Sequence, residues 1–84
     1  MFVRFIKDVD GRQHEFIHEC RNVKVYPDTE NQNSLIFDII DVAYQAAYII
    51  EKKPGNEVYL MNSRGQTIDS YRWGDSTPKV DQLR

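Results

Sequence analysis

The chain has 84 residues, of which 40% are hydrophobic and 12% aromatic, and its formal net charge is −2. This length allows one domain with a thin core, since domains usually need about 50 to 200 residues, and the composition excludes global disorder. Eleven Lys and Arg against 13 Asp and Glu argue against a nucleic-acid binder, because such binders neutralise phosphates with basic side chains.

Three strands are predicted in the first third of the chain. Phe2 to Lys7 is rich in β-branched and aromatic residues, and the Asp10-Gly11 pair that follows is a strong hairpin signal. Gln13 to Glu19 is the predicted returning strand. Val23 to Tyr26 alternates in side-chain character and is the third strand, which Pro27 ends.

A long helix is predicted after the polar loop at 27–33. Asn33 or Ser34 is its expected N-cap, and the helix should run from Leu35 to about Lys52 or Lys53 before Pro54-Gly55 stops it. Two more strands are predicted at 57–61 and 66–73, joined by a turn around Gly65. The expected fold class is therefore α+β, with an antiparallel sheet of about five strands in the order βββ–α–ββ and one long helix packed on one face. Residues 1–73 would form the single domain, and 74–84 a flexible C-terminal tail.

The predicted helix is unusually apolar. On a helical wheel one stripe would face the sheet, formed by Ile36, Ile39, Ile40, Ala43, Ala46, Ala47 and Ile50. Two further apolar shoulders flank this stripe, one formed by Leu35, Val42 and Ile49 and the other by Phe37, Tyr44 and Tyr48. A helix on one sheet needs an apolar arc of little more than about 100°, and this arc is nearly twice as wide.

Two interpretations of the shoulders are open. Sheet side chains or the loop at 27–33 could cover them within one protomer. Alternatively, one shoulder meets another chain. Leu35, Val42 and Ile49 would then form a helix-to-helix homodimer interface, and Phe37, Tyr44 and Tyr48 would bind a partner protein together with Arg72 and Trp73, since tyrosine, tryptophan and arginine often anchor interfaces. For Trp73, burial at the end of the core is the competing expectation.

His14, His18 and Cys20 alternate on one strand and invite a metal hypothesis. His14 and His18 would lie about 13 Å apart at the rise of a strand, and a structural zinc needs four ligands. No metal or cofactor is therefore predicted, and no activating pocket marks Cys20 as a nucleophile.

Cys20 also bears on the compartment, because one cysteine allows no intrachain disulfide. Small secreted domains usually depend on such bonds, so a reducing compartment is favoured. The longest apolar stretch, Leu35 to Ile50, contains Asp38, Asp41 and Gln45 and is not predicted to span a membrane. The expected location is the cytoplasm.

No catalytic motif is found, so the predicted function is a non-enzymatic protein-binding module. In size, charge and βββ–α–ββ pattern the chain resembles compact accessory proteins of phages and mobile elements, including inhibitors that occupy a surface of a larger host protein. That likeness covers general build and transfers no residue's role. The alternative is a nucleic-acid-binding domain that uses strand aromatics and basic residues. Its candidate residues are Phe2, Arg4, Phe5, Lys24, Tyr26, Tyr59, Arg72 and Trp73.

Overall fold

The computed structural model describes residues 1–74, and this part of the chain is all-β. Its seven strands are β1 (Phe2–Val9), β2 (Arg12–Glu19), β3 (Asn22–Pro27), β4 (Ser34–Ile40), β5 (Gln45–Glu51), β6 (Glu57–Met61) and β7 (Thr67–Arg72). The predicted α+β fold is therefore wrong, because no helix occurs in the described residues. The predicted tail lies outside them from residue 75 onward.

The strands form two antiparallel sheets that share one core. Sheet A has the order β2-β1-β6-β7, and sheet B has the order β3-β4-β5. The chain passes from sheet A to sheet B at Cys20 and Arg21, where the Arg21 amide donates to the Ile40 carbonyl at 2.9 Å. Residues 1–74 contain no helix long and apolar enough to cross a bilayer.

The predicted hairpin between β1 and β2 is confirmed. Asp10 and Gly11 have φ angles of 54° and 80°, as a two-residue turn that matches the twist of the flanking strands requires. The register pairs Val9 with Arg12 and continues to Phe2 with Glu19.

The predicted helix is replaced by the β4–β5 hairpin. Leu35 pairs with Ile50 and Ile39 with Ala46 across the two strands. The turn between them is closed by a 3.0 Å bond from the Asp41 amide to the Tyr44 carbonyl. Ser34 is a buried strand residue rather than a helix N-cap.

The over-wide apolar arc is explained by two strands that carry apolar side chains on both faces. On β4, Phe37 and Ile39 are fully buried, whereas Ile36 and Ile40 point to the other face because strand side chains alternate. β5 behaves likewise, with Ile50 buried and Ile49 exposed. Isoleucine, valine and aromatic residues also favour strands over helices.

The core lies between the sheets, and both contribute to it. Its buried members are Val3, Phe5, Cys20, Phe37, Ile39, Ile50, Val58 and Leu60. Phe5 of β1 meets Phe37 of β4 edge-on with ring centroids 5.8 Å apart. Fully burying side chains of this size stabilises a fold by about 1.5 to 3 kcal/mol each, so the contact between the sheets is a major source of stability.

Candidate protein-interaction surfaces

An aromatic cluster with a histidine at its centre occupies one side of the interior. The Tyr48 hydroxyl and His18 Nε2 are 2.7 Å apart, and the Tyr48 ring also packs on Phe5 and Phe16 with centroids 5.1 and 5.7 Å away. His18 stacks edge-on against both phenylalanines. The half-buried imidazole is therefore hydrogen-bonded and packed against Phe5 of the core, and it joins β2 to β5.

Cys20 is also a core residue. Its side chain is buried, and burial raises the pKa of the thiol, an effect that the nearby N-terminal ammonium partly opposes. The folded protein thus favours the protonated thiol over the nucleophilic thiolate. Residues 1–74 bring together no group of three His, Cys, Asp or Glu side chains that could hold a metal ion, and they enclose no ligand-sized pocket.

The outer face of sheet A carries the clearest mixture of apolar and basic side chains. Since Val3 and Phe5 point into the core, Phe2, Arg4 and Ile6 point outward, and the register places their neighbours beside them. We call this surface the Arg4 face. It consists of Phe2, Arg4, Ile6, Glu15, Ile17, Glu19, Glu57, Tyr59, Met61, Ser70 and Arg72.

Arg4 lies at the centre of this face and is held from two sides. Its Nε donates to Glu15 Oε2, and its guanidinium carbon lies 5.6 Å from the centre of the Tyr59 ring. The Tyr59 hydroxyl donates to Glu57, and this hydrogen bond is the main reason that the pKa of Tyr59 is raised. The face has two arginines against three glutamates, so it is not a basic patch.

The outer face of sheet B carries a second, smaller apolar row. Tyr26, Ile36 and Ile49 are neighbours across β3, β4 and β5, and Tyr26 and Ile49 are exposed. The other rows mix polar and apolar side chains. Asp38 accepts two hydrogen bonds from Gln45 Nε2, at 2.9 and 3.0 Å. These two residues lie in neighbouring rows, because Asp38 pairs with Ala47 and Gln45 with Ile40. Both rows end at the free edge of β5.

The structure does not bring the five predicted partner-binding residues together. Phe37 is fully buried, and Tyr48 and Trp73 pack against the core. Tyr44 is exposed, and its hydroxyl donates to the Glu19 carbonyl at 3.2 Å. Arg72 alone lies on the Arg4 face, where it is opposite Glu57.

The three predicted dimer residues are separated as well. Leu35 packs on the core, Val42 is exposed at the β4–β5 turn, and Ile49 is exposed on the outer face of sheet B. Their shared helical face does not exist, although Ile49 remains available to another chain.

Sequence reasoning misses Ile17 and Met61 as surface residues with apolar character, and it indicates Tyr59 only as a candidate for binding nucleic acid. The strands that carry them were predicted, and their alternation alone suggests which side chains share a face. Which face is outward depends on the pairing of β6 with β1, which no local pattern reveals. No family model, no curated protein and no solved structure matches this chain.

Proposed function

We propose that this chain is a non-enzymatic protein-binding module that docks a partner protein on the Arg4 face. The observation that supports it is the row of Ile17, Arg4 and Tyr59 across β2, β1 and β6, flanked by Phe2, Ile6 and Met61. An outer sheet face in contact with water normally carries polar side chains, whereas Ile17 is 57% exposed here.

The residue types suit a protein interface. Arginine and tyrosine are enriched among the residues that contribute most binding energy, and interface centres are apolar with a polar rim. Ile17, Tyr59 and Met61 supply the apolar centre, and Glu19 and Arg72 lie at its margins. Because Glu15 and Tyr59 already hold Arg4, less side-chain entropy is lost when a partner covers it.

The size of the face is consistent with the central part of such an interface. Four strands about 4.8 Å apart and five residues of strand length span roughly 14 Å in each direction between backbone atoms. A standard interface covers about 800 Å² of each partner, so a docked protein would also cover the neighbouring polar side chains. Occupying a partner's surface is the mode of action that we propose.

The charge of the face favours a protein over a nucleic acid. Phe2, Arg4, Tyr59 and Arg72 share the Arg4 face, but three glutamates lie among them, and Lys24 and Tyr26 lie on the other sheet. Phosphate binding needs a surplus of Lys and Arg.

The resemblance to phage accessory proteins rested partly on the βββ–α–ββ pattern, which the all-β fold removes. Binding that acts by occupying a partner's surface does not depend on that pattern. We place the module in the cytoplasm, an assignment supported by its one cysteine, which is unpaired.

A photo-crosslinking experiment tests the proposal. Benzoyl-phenylalanine is placed at position 17 or at position 49 in the full chain, and proteins crosslinked in cells of the native source are identified by mass spectrometry. The expected result is a partner protein that crosslinks from position 17 and not from position 49. Recovery of nucleic acid from position 17, or no position-17-specific product, would overturn the proposal.

Once a partner has been identified and purified, substitutions test whether it binds to the Arg4 face. Ile17→Lys should weaken binding by about tenfold or more, because it puts an ammonium into a desolvated apolar contact. Tyr26→Lys is the control, since Tyr26 is 41% exposed on the outer face of sheet B and lies on β3, at the edge of that sheet opposite β5, and it should change the dissociation constant less than about twofold. Equal affinities of the two variants would contradict docking on the Arg4 face.

A further inference from the structure

The hydrogen-bond phase of β5 shows which backbone groups it leaves free. Bonds from the Lys52 amide to the Asn33 carbonyl and from the Asp41 amide to the Tyr44 carbonyl lie at the two ends of the β4–β5 pairing. Because bonded and non-bonded pairs alternate in an antiparallel ladder, Ala46, Tyr48 and Ile50 bond to β4. Ala47 and Ile49 therefore direct their N–H and C=O groups away from it, and no other described strand pairs there.

At the end of this edge the Glu51 carbonyl already accepts two hydrogen bonds, from Asn56 Nδ2 at 2.9 Å and from the Lys53 amide at 3.0 Å. The free groups are thus concentrated at the centre of β5.

The other three edge strands within residues 1–74 carry features that discourage strand addition. β3 ends in Pro27, which has no N–H, and contains Lys24. β7 has a register shift opposite Leu60 and Met61 and carries charged side chains. β2 would place Glu15 opposite Glu19 of a second copy if it paired about Ile17. By contrast, β5 has neither charge nor proline between Gln45 and Ile50.

We propose that β5 pairs antiparallel with β5 of a second copy of this chain, which joins the two sheets B into one six-stranded sheet. Pairing about Tyr48 puts Ala47 opposite Ile49 and Gln45 opposite Glu51, so no like charges meet. The free backbone groups of Ala47 and Ile49 face each other and form four hydrogen bonds across a two-fold axis.

The second copy is favoured as the occupant because this pattern is complementary to itself. In a two-fold interface the same surface is used by both copies, so each contact between two different residues occurs twice. β5 can pair with itself in this way because its hydrogen-bonding groups, its charges and the sizes of its side chains all match. The exposed Ile49 also gains an apolar neighbour from Ala47 of the other copy. This inference concerns a different surface from the Arg4 face, so either proposal can fail without the other.

Sedimentation velocity of the full chain from micromolar to millimolar concentration tests the dimer. Wild type should move from 9.9 kDa to twice that mass. Ile49→Pro should raise the dissociation constant at least about tenfold, since it removes two of the four hydrogen bonds, while the β4–β5 ladder loses none.

Ile17→Pro is the matched control. Ile17 is an equally exposed isoleucine on an edge strand, and its N–H points away from β1 because the Cys20 amide bonds to the Met1 carbonyl. This variant should dimerise like wild type. A wild type that stays monomeric at millimolar concentration, or a dimer that both proline variants retain, would overturn the proposal.

Disulfide trapping supplies a readout that does not require the proline variants to fold. Chains carrying Ala47→Cys and Ile49→Cys, each in a Cys20→Ser background, are mixed and oxidised. Opposed residues of a bonded antiparallel pair have Cα atoms about 5.5 Å apart, within disulfide range. The mixed pair should crosslink at least about tenfold faster than either variant alone, and equal rates would contradict the proposed register.

Discussion

At the scale of single residues, Asn56 ties the two sheets together. It is one of two buried polar residues among those described. Its Oδ1 accepts from the Asp8 amide of β1 at 2.9 Å, and its Nδ2 donates to the Glu51 carbonyl of β5 at 2.9 Å. Both partners are backbone groups. Without the Asn56 amide, the Asp8 N–H would lose its hydrogen bond, and the Glu51 carbonyl would keep only the one from the Lys53 amide.

Asn56→Ala should lower the free energy of unfolding by about 1 to 3 kcal/mol, because the part-buried Asp8 N–H loses its partner and the Glu51 carbonyl loses one of its two donors. Urea denaturation at neutral pH measures the change. Asn62→Ala is the control, since Asn62 makes bonds of similar length to Arg64 and Gln66 within an exposed turn. A loss for Asn56→Ala no larger than that for Asn62→Ala would contradict the assigned role.

Cys20 should make stability depend on alkaline pH. Because burial raises the pKa of the folded thiol, the folded state keeps a proton that the unfolded state releases. The stabilisation is full below the ordinary thiol pKa and is lost as pH rises toward the raised folded value. The stability difference between wild type and Cys20→Ala should therefore shrink with rising pH in urea titrations, and a constant difference would count against it.

At the scale of elements, the turn before β6 is constrained by glycine. Gly55 has a φ of 94°, and a Cβ at this position would lie 2.9 Å from Asp8 Cβ. Gly65, in the β6–β7 turn, has a similar φ of 79° but open space around it. The two glycines thus share the same backbone strain on substitution and differ in the contact.

Gly55→Ala should be more destabilising than Gly65→Ala. In both variants an L-residue in the left-handed region lowers stability by about 1 to 2 kcal/mol. Gly55→Ala also displaces Asp8, and it thereby disturbs the hydrogen bond between Asp8 and Asn56. Thermal unfolding of the two variants side by side measures the difference. Equal melting temperatures would show that the approach of Asp8 does not constrain this turn.

The two hairpins differ in how far the sequence predicts them. The Asp10-Gly11 pair predicts the β1–β2 turn, because this pair of residue types tolerates the positive φ angles that a two-residue hairpin turn requires and that both residues adopt here. At the β4–β5 turn neither Val42 nor Ala43 has a positive φ. This turn therefore needs no glycine or Asn-Gly pair, and the sequence carries no such signal there. Apolar side chains on both faces of β4 and β5 then make one long apolar run, which fits a helical period as well as it fits two strands.

At the scale of the whole molecule, the two proposed surfaces lie on different sheets. The Arg4 face uses the outward side of the four-stranded sheet, and the proposed dimer uses an edge of the three-stranded one. A small domain of this kind buries a limited share of its surface, and association is one way to increase it. Dimerisation would also present two Arg4 faces, which would strengthen binding to a partner that offers two sites.

The candidate surfaces could be predicted only in part from the sequence. The sequence predicts Arg72 as an interface residue, and Arg72 lies on the Arg4 face. It predicts Ile49 as a contact to a second copy, and Ile49 lies at the free edge of β5. The sequence does not show that Phe37 and Tyr48 belong to the interior whereas Arg72 and Ile49 lie on the surface, because burial depends on how β4 and β5 pack against β1 and β2. That packing joins residues far apart in the chain, and no local period encodes it.

Backbone NMR of residues 34–51 tests the central claim most directly, because both the core and the free β5 edge depend on this hairpin. Ile36 and Ile49, and likewise Asp38 and Ala47, are opposed in the register and form the closely spaced non-hydrogen-bonded pairs. Strong cross-peaks are predicted between the α-protons within each pair. A series of contacts between residues three apart from Leu35 to Ile50, as a helix gives, would contradict the account.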